Sequence, residues 1–275
     1  YASLTSATVQ VGASSVVATV STGTITLTNP ITTTETITIN GIDLTTGDGV
    51  KIIGIQLYDA AGNISTTWND SITVDTIAPT LDVTLTSPAT YSLGATVLVD
   101  GATLYTTSTG ELVISVSDTG GSGATGLTAA GWNVAASPAI YQSSGASWIS
   151  VQDNAGNSTT INFITVLDEM PPEFGTPQNP QVSSFDLSVS DAGSGINPSD
   201  FQAHYSDEYS VQQSDPSAIT TWYTATYNGS NVAGLISDTT TNRYRYIRVT
   251  ASDNVGNMIV RYVERYNSGI LTLLP

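Results

Sequence analysis

Seven acidic residues stand where a chain could collect negative charge. Asp153 and Asp253 each open an Asp-x-x-Gly-Asn motif, closed by Asn157 and Asn257. Asp118 and Asp191 each end a run that finishes Val-Ser-Asp, Leu112-Val-Ile-Ser-Val-Ser-Asp118 and Phe185-Asp-Leu-Ser-Val-Ser-Asp191. Asp75, Asp168 and Glu169 lie in two acidic, proline-bearing segments, Asp75-Thr-Ile-Ala-Pro79 and Asp168-Glu-Met-Pro-Pro172. Oxygen ligands of this kind suit a hard cation, provided that they converge. Convergence depends on the elements that carry them.

Those elements read as strands. Asp-x-x-Gly-Asn occurs a third time at Asp59–Asn63, and the copies are 94 and 100 residues apart, the size of one small β-sandwich. Two and four residues before the first Asp the chain is apolar: Leu57 and Ile55, Val151 and Ile149, Ala251 and Val249. The intervening positions are mostly polar, and alternation at period two marks a half-buried strand. Gly adopts positive φ at little cost and Asn tolerates it, so the motif reads as a hairpin turn between the last two strands of a unit. The runs Thr24–Thr28 and Thr36–Ile39 alternate in the same way, and no stretch reads as an amphipathic helix. The expectation is an all-β chain of three tandem immunoglobulin-like or fibronectin-III-like sandwiches forming an extended rod. The expected boundaries are 1–77, 78–169 and 170–275, the last unit carrying an apolar tail.

In such a sandwich the second and the penultimate strands run the same way. The loops after them share one end, where the first strand also begins. That predicts Asp75, Asp118 and Asp153 at one pole of the middle unit, and Asp168, Glu169, Asp191 and Asp253 at one pole of the last. Carboxylates held together need a counter-charge, and calcium accepts about six to eight oxygens in flexible geometry. An Asp at a turn also bonds nearby backbone amides with no metal present, and that alternative stands beside the first. Asp59 has no preceding unit in the sequence and is the least expected ligand.

Tyr58-Asp-Ala-Ala-Gly-Asn63, followed by Ile72-Thr-Val-Asp-Thr-Ile-Ala-Pro79, resembles the Ig-like repeats of large bacterial and archaeal adhesins and surface-layer proteins. Asp191-Ala-Gly-Ser-Gly-Ile196 with Thr250-Ala-Ser-Asp-Asn-Val-Gly-Asn257 is similar to another branch of the same class. The resemblance covers all three units, most clearly at their C-terminal hairpins. It implies an extracellular, structural role in a surface layer, a filament or an adhesin stalk, with junctions stiffened by calcium. Asp168-Glu-Met-Pro-Pro172 departs from the common Asp-Thr-x-Ala-Pro form of the linker.

Composition narrows the chemistry further. The chain has no cysteine and a single histidine, His204, which excludes disulfides and thiolate sites and removes nearly every histidine-based constellation. No nucleophile motif, phosphate loop or triad is present, and paired carboxylates without a cleft do not make a glycosidase, so an enzyme is not expected. No apolar run reaches the roughly 18 residues of a transmembrane helix. The sequence opens at Tyr1 without a signal peptide, as expected of a processed or excised chain. Residues 1–242 hold 21 acidic side chains against Lys51 alone, which would repel a nucleic-acid backbone.

Arg243, Arg245, Arg248, Arg261 and Arg265 flank the last hairpin. They are expected to form a basic patch, either a solvated sheet face with cross-strand pairs to Glu264 and neighbouring tyrosines or a docking surface for the acidic part of another copy. The tail Ile270-Leu-Thr-Leu-Leu-Pro275 extends the last strand, begins another unit, or is donated to a neighbouring subunit. Trp68, Trp132, Trp148, Trp222 and the tyrosines either pack between sheets or form a sugar-stacking platform. The second option belongs to a carbohydrate-binding or accessory module of a larger secreted protein, with a glycan or host receptor as partner. Asn63, Asn69, Asn157 and Asn228 each open a sequon for N-glycosylation.

Overall fold

A computed structural model describes residues 4–13, 16–19, 47–59, 66–119, 121–181, 183–206, 216–235, 244–266 and 271–274; at 4–19, 53, 55–59, 244, 245 and 266 it describes the backbone alone. Asn63 and Arg243 therefore lie outside the described residues, as do the runs Thr24–Thr28 and Thr36–Ile39. The regular secondary structure of the described residues is nearly all β-strand, and its helical content is one 3-10 turn, Pro216–Ala218.

Five sheets hold the described strands. The first is antiparallel, in the order Val16–Thr19, Leu4–Ala13, Gly49–Asp59, Trp68–Val74. The second runs Trp132–Asn133, Ala139–Tyr141, Glu111–Ser117, Thr80–Leu85. The third runs Thr90–Tyr91, Ala102–Thr106, Ser158–Leu167, Gly145–Asp153, Ala124–Ala130, and its Ala102–Thr106 strand lies parallel to Ser158–Leu167. A short pair joins Glu173–Phe174 to Val189–Ser190. The last sheet has seven strands, in the order Ser184–Asp186, Asn231–Ala233, Tyr223–Tyr227, Ile196–Tyr205, Tyr244–Asp253, Met258–Tyr266, Leu271–Leu274.

The chain divides into two compact units. One comprises Tyr1–Leu81, Val116–Thr128 and Ser150–Thr160, the other Asp82–Ser115, Ala129–Ile149 and Ile161–Pro275.

Alternation of side chains sets what each strand buries. In Thr80–Leu85, Leu81 and Val83 are buried while Asp82 and Thr84 are exposed. In Gly145–Asp153 the inward series is Ser147, Ile149, Val151 and then Asp153 itself. The same parity runs through Val249, Ala251 and Asp253. Period two thus carries Asp153 and Asp253 inward at the ends of their strands, where each carboxylate must be satisfied by partners rather than by water.

The core of the second unit gathers Phe185, Leu187, Tyr205, Val232, Ile247, Val249 and Val263, each contributing roughly 1.5–3 kcal/mol by leaving water. Tyr227 joins this core and donates its hydroxyl to the Leu187 carbonyl at 3.0 Å; burial pushes that hydroxyl's pKa up. Polar groups in the interior are likewise paired at Trp132, whose Nε1 donates to Thr165 Oγ1 at 3.1 Å.

The apolar tail behaves differently from each sequence expectation. Leu271–Leu274 neither continues the preceding strand nor stands apart from it. It folds back antiparallel on Met258–Tyr266, with Leu273 opposite Val263 and Leu271 opposite Arg265. Leu271 and Leu273 pack against the core, and this burial gives the tail its place.

Candidate metal centre: two carboxylate triads

The first triad assembles from three places in the sequence. Asp75 follows the Trp68–Val74 strand, Asp118 follows Glu111–Ser117, and Asp153 ends Gly145–Asp153. One oxygen from each lies within 4.8 Å of the other two. Asp75 Oδ2 accepts from the Ser122 amide and hydroxyl, both at 2.7 Å. Asp118 Oδ2 accepts from the Gly123 amide at 2.7 Å. Asp153 Oδ1 accepts from the Ala155 and Asn157 amides at 2.9 and 2.8 Å, and its Oδ2 from Asn157 Nδ2 at 2.8 Å. The same Asn157 amide group donates to the Asp75 carbonyl at 3.0 Å, tying the hairpin to the segment that follows the Trp68–Val74 strand.

The second triad repeats this construction with Asp168, Asp191 and Asp253, again with one oxygen from each within 4.8 Å of the others. Asp168 Oδ2 accepts from the Ser194 amide at 2.6 Å, and Asp191 Oδ2 from the Gly193 and Gly195 amides at 2.9 and 2.8 Å. Asp253 Oδ1 accepts from the Val255 and Asn257 amides at 3.0 and 2.9 Å, and its Oδ2 from Asn257 Nδ2 at 2.7 Å. Asn257 Nδ2 then reaches the Asp168 carbonyl at 3.0 Å.

Two glycines make room for the convergence. A Cβ on Gly121 would lie 2.4 Å from Asp118 Oδ1 and 2.7 Å from Asp75 Oδ2. A Cβ on Gly193 would lie 2.4 Å from the Asp168 carboxyl carbon. Both glycines sit in a Gly-Ser-Gly loop, Gly121-Ser-Gly123 and Gly193-Ser-Gly195, whose middle serine caps the triad. Asn154 and Asn254 close these loops by donating to the Ser122 and Ser194 carbonyls, each at 2.8 Å. The sequence reading missed Gly121, Gly193, the two serines and the two asparagines. The shared Gly-Ser-Gly after each Val-Ser-Asp run was the signal that could have found them.

The two triads differ electrically. Asp75 is held below the ordinary carboxylate range, first by the Ser122 amide and then by its hydroxyl. Asp253, fully buried, is pushed above that range, first by burial; the Asp168 charge adds to this, and Asn257 opposes it. Their serines differ too. Ser122 Oγ donates to Asp75 and accepts from the Ala155 amide at 3.0 Å, whereas Ser194 Oγ is buried without a partner.

These residues fit a hard divalent cation. The donors are all oxygen, and each triad carries three carboxylates, without a cationic partner among the described residues. The glycines leave the space beside the carboxylates open, and the buried Ser194 hydroxyl is an unused oxygen next to the second triad. Backbone amides hold one or both oxygens of every carboxylate, which fixes their positions in advance.

Glu169 is a correction. It follows Asp168 directly, but neighbouring side chains diverge: Glu169 is not among the three carboxylates that converge, and its Oε1 accepts from the Ser108 amide at 3.3 Å. The arginines also depart from a common patch. In the register of Tyr244–Asp253 with Met258–Tyr266, Arg245 stands opposite Arg265, Val249 opposite Arg261, and Arg248 opposite Tyr262. Arg248 therefore occupies the opposite face from Arg261 and Arg265. Its guanidinium stands 4.9 Å over the Trp222 ring, while Arg265 donates to the Gln181 carbonyl.

Of the sequons, Asn69 and Asn228 are exposed. Asn157 is committed elsewhere, because both hydrogens of its amide bond within the first triad. Trp132 is buried and Trp68 exposed, while Trp222 lies against Arg248 and, at 6.0 Å, Tyr262. His204 is a residue of the Ile196–Tyr205 strand, and burial and then Arg248 lower its pKa.

No protein-family model and no curated protein matches the chain. Among solved structures it is similar to the crystal structure of Drosophila N-cadherin EC1-4, with a TM-score of 0.26 and 13% sequence identity, over 82% of this chain and 59% of that one. The chain thus spans less than two thirds of that structure.

Proposed function

We propose that this chain is a non-enzymatic structural segment of an extracellular surface assembly. In this reading it is built of three Ig-like sandwiches, 1–77, 78–169 and 170–275, with calcium at the two junctions. Asp75, Asp118 and Asp153 hold one ion, and Asp168, Asp191 and Asp253 the other. The observation that carries the reading is the repetition: the same Asp, Asp, Asp, Asn and Gly-Ser-Gly set is built twice, each time joining an acidic, proline-bearing segment to a hairpin turn. Calcium there would neutralise the buried charge and fix the linker against the turn, which suits a load-bearing rod. Partners are copies of the chain or neighbouring modules of the same surface protein, in a layer, filament or stalk.

The test is thermal melting with calcium and with EDTA, on the parent and on Asp118→Asn and Asp191→Asn. An Asn at either position can still accept the loop amides through its oxygen, so the turn survives while one charge goes. We expect calcium to raise the melting temperature of the parent, and each variant to lose part of that rise. Superimposable curves with and without calcium would remove the ion from the reading. Electron microscopy with calcium then separates ordered sheets or fibres from isolated rods.

A further inference from the structure

We propose that a polar pocket in the second unit, distinct from both triads, binds a neutral saccharide. The pocket has a volume of about 510 Å³ and is lined by Thr176, Gln178, Asp186, Ser188, Ser230 and Asn231. It forms where one stretch of chain changes partners. Ser184–Asp186 pairs with Asn231–Ala233, and three residues later Val189–Ser190 pairs with Glu173–Phe174. The facing stretch changes in step, since Gly175 bonds the Ser188 carbonyl while Gln178 and Asp186 exchange backbone bonds of 2.9 Å in both directions. Between these two ladders the backbones part, and polar side chains line the gap.

The lining is pre-arranged to accept hydrogen bonds. Asp186 Oδ1 receives Asn231 Nδ2 at 3.0 Å and Oδ2 receives Asn179 Nδ2 at 2.7 Å; these two amides, Asn179 first, hold its carboxyl below the ordinary range. Each carboxylate oxygen keeps a further lone pair. Asn231 spends both amide hydrogens, on Asp186 and on the Phe185 carbonyl at 3.1 Å, so its Oδ1 remains an acceptor. Ser230 Oγ donates to Asn228 Oδ1 at 3.1 Å and keeps its own lone pairs. Thr176, Ser188 and Gln178 add groups that both donate and accept.

This chemistry selects the ligand class. Among the described residues no basic residue lines the pocket, which disfavours phosphates and carboxylates, and none of those that line it is an apolar residue, which disfavours lipids and flat aromatics. A single carboxylate, already holding one amide on each oxygen, is a poor match for a cation that needs several charged ligands. Adjacent hydroxyls on a sugar ring supply the donors that the fixed acceptors lack, and the volume suits a small ligand. The inference does not rest on calcium at the triads. It gives a specific location to the carbohydrate-binding alternative.

The test is a series of amide nitrogen–proton NMR titrations with methyl α-D-mannopyranoside, methyl α-D-glucopyranoside and methyl β-D-galactopyranoside, run both in calcium and in EDTA. We expect at least one glycoside to shift the backbone amides of Gln178, Asp186, Ser188 and Asn231 at millimolar concentration. Asp186→Ala should weaken binding by about tenfold or more. The exposed double substitution Thr176→Ala with Ser188→Ala should weaken it while leaving the remaining spectrum in place, which guards against a folding defect at Asp186. Absence of shifts with all three glycosides, or equal shifts in the parent and both variants, overturns the proposal. Shifts at these amides from calcium chloride, with none from glycosides, would make the pocket a cation site and equally overturn it. None of these outcomes bears on the triads, which the melting experiment reads separately.

Discussion

The Asn257 side chain bonds the Asp168 backbone carbonyl at 3.0 Å across 89 residues of sequence, while the same amide group holds the Asp253 carboxylate at 2.7 Å. One side chain thus closes a turn and fastens a distant segment to it. Replacement by Ala removes both bonds and strands two acceptors. Asn257→Ala should lose about 1–3 kcal/mol of unfolding free energy, and Asn157→Ala a similar amount. Urea unfolding checks this as a lower midpoint with an unchanged slope. Unchanged midpoints would show that the linker bonds contribute nothing.

Adding a methyl group at Gly193 places a Cβ against the Asp168 carboxyl, and at Gly121 against Asp118 and Asp75. Gly193→Ala and Gly121→Ala should each push carboxylates apart, costing about 1–3 kcal/mol by overpacking. Calorimetric titration with calcium should show one binding event lost per variant. Full retention of both events would mean that the carboxylate spacing does not govern binding.

Opposite shifts at the two triads give opposite pH signs. Asp75 titrates below the ordinary aspartate value of about 3.9, so it contributes stability above that value, which is lost as pH falls through its depressed folded pKa. Asp253 titrates above it, so its contribution favours the folded state at low pH and is lost as pH rises from the unfolded value through the raised folded one. A carbon-13 carboxyl titration in EDTA should place the Asp253 midpoint above that of Asp75. The reverse order would contradict the burial argument. Calcium should bring the Asp253 midpoint down.

Leu271 and Leu273 complete the edge of the seven-stranded core. Truncation after Ser268 should therefore destabilise the second unit by about 2–4 kcal/mol, from two partly buried leucines. A melting curve identical to that of the parent would show that the strand is held without contributing to the fold.

The strands adjoining each Asp-x-x-Gly-Asn were legible because alternation with β-branched residues is a local signal, and Val151, Ile149, Ala251 and Val249 are buried on that pattern. The six aspartates were legible only through topology, since no contiguous spacing links residues as far apart as Asp75 and Asp153. Ser122, Ser194, Gly121 and Gly193 escaped because a Gly-Ser-Gly loop signals a turn without saying what the turn encloses. The arginine patch failed on parity: Arg248 stands opposite Tyr262, one position from Arg261, and so cannot share a strand face with Arg261. The tail failed because its few apolar residues carry no direction, and only the edge of Met258–Tyr266 decided where they went.

Two strand pairings in the second unit also imply unequal resistance to mechanical load. Leu271–Leu274 is the second arm of a hairpin with Met258–Tyr266, so tension applied at Leu274 peels its bonds apart one after another. Ala102–Thr106 lies parallel to Ser158–Leu167, so tension applied before Ala102 and after Leu167 shears all their bonds together. Force spectroscopy should record an early, weak release of the terminal strand and a later, stronger rupture, with the outermost strand acting as a mechanical fuse.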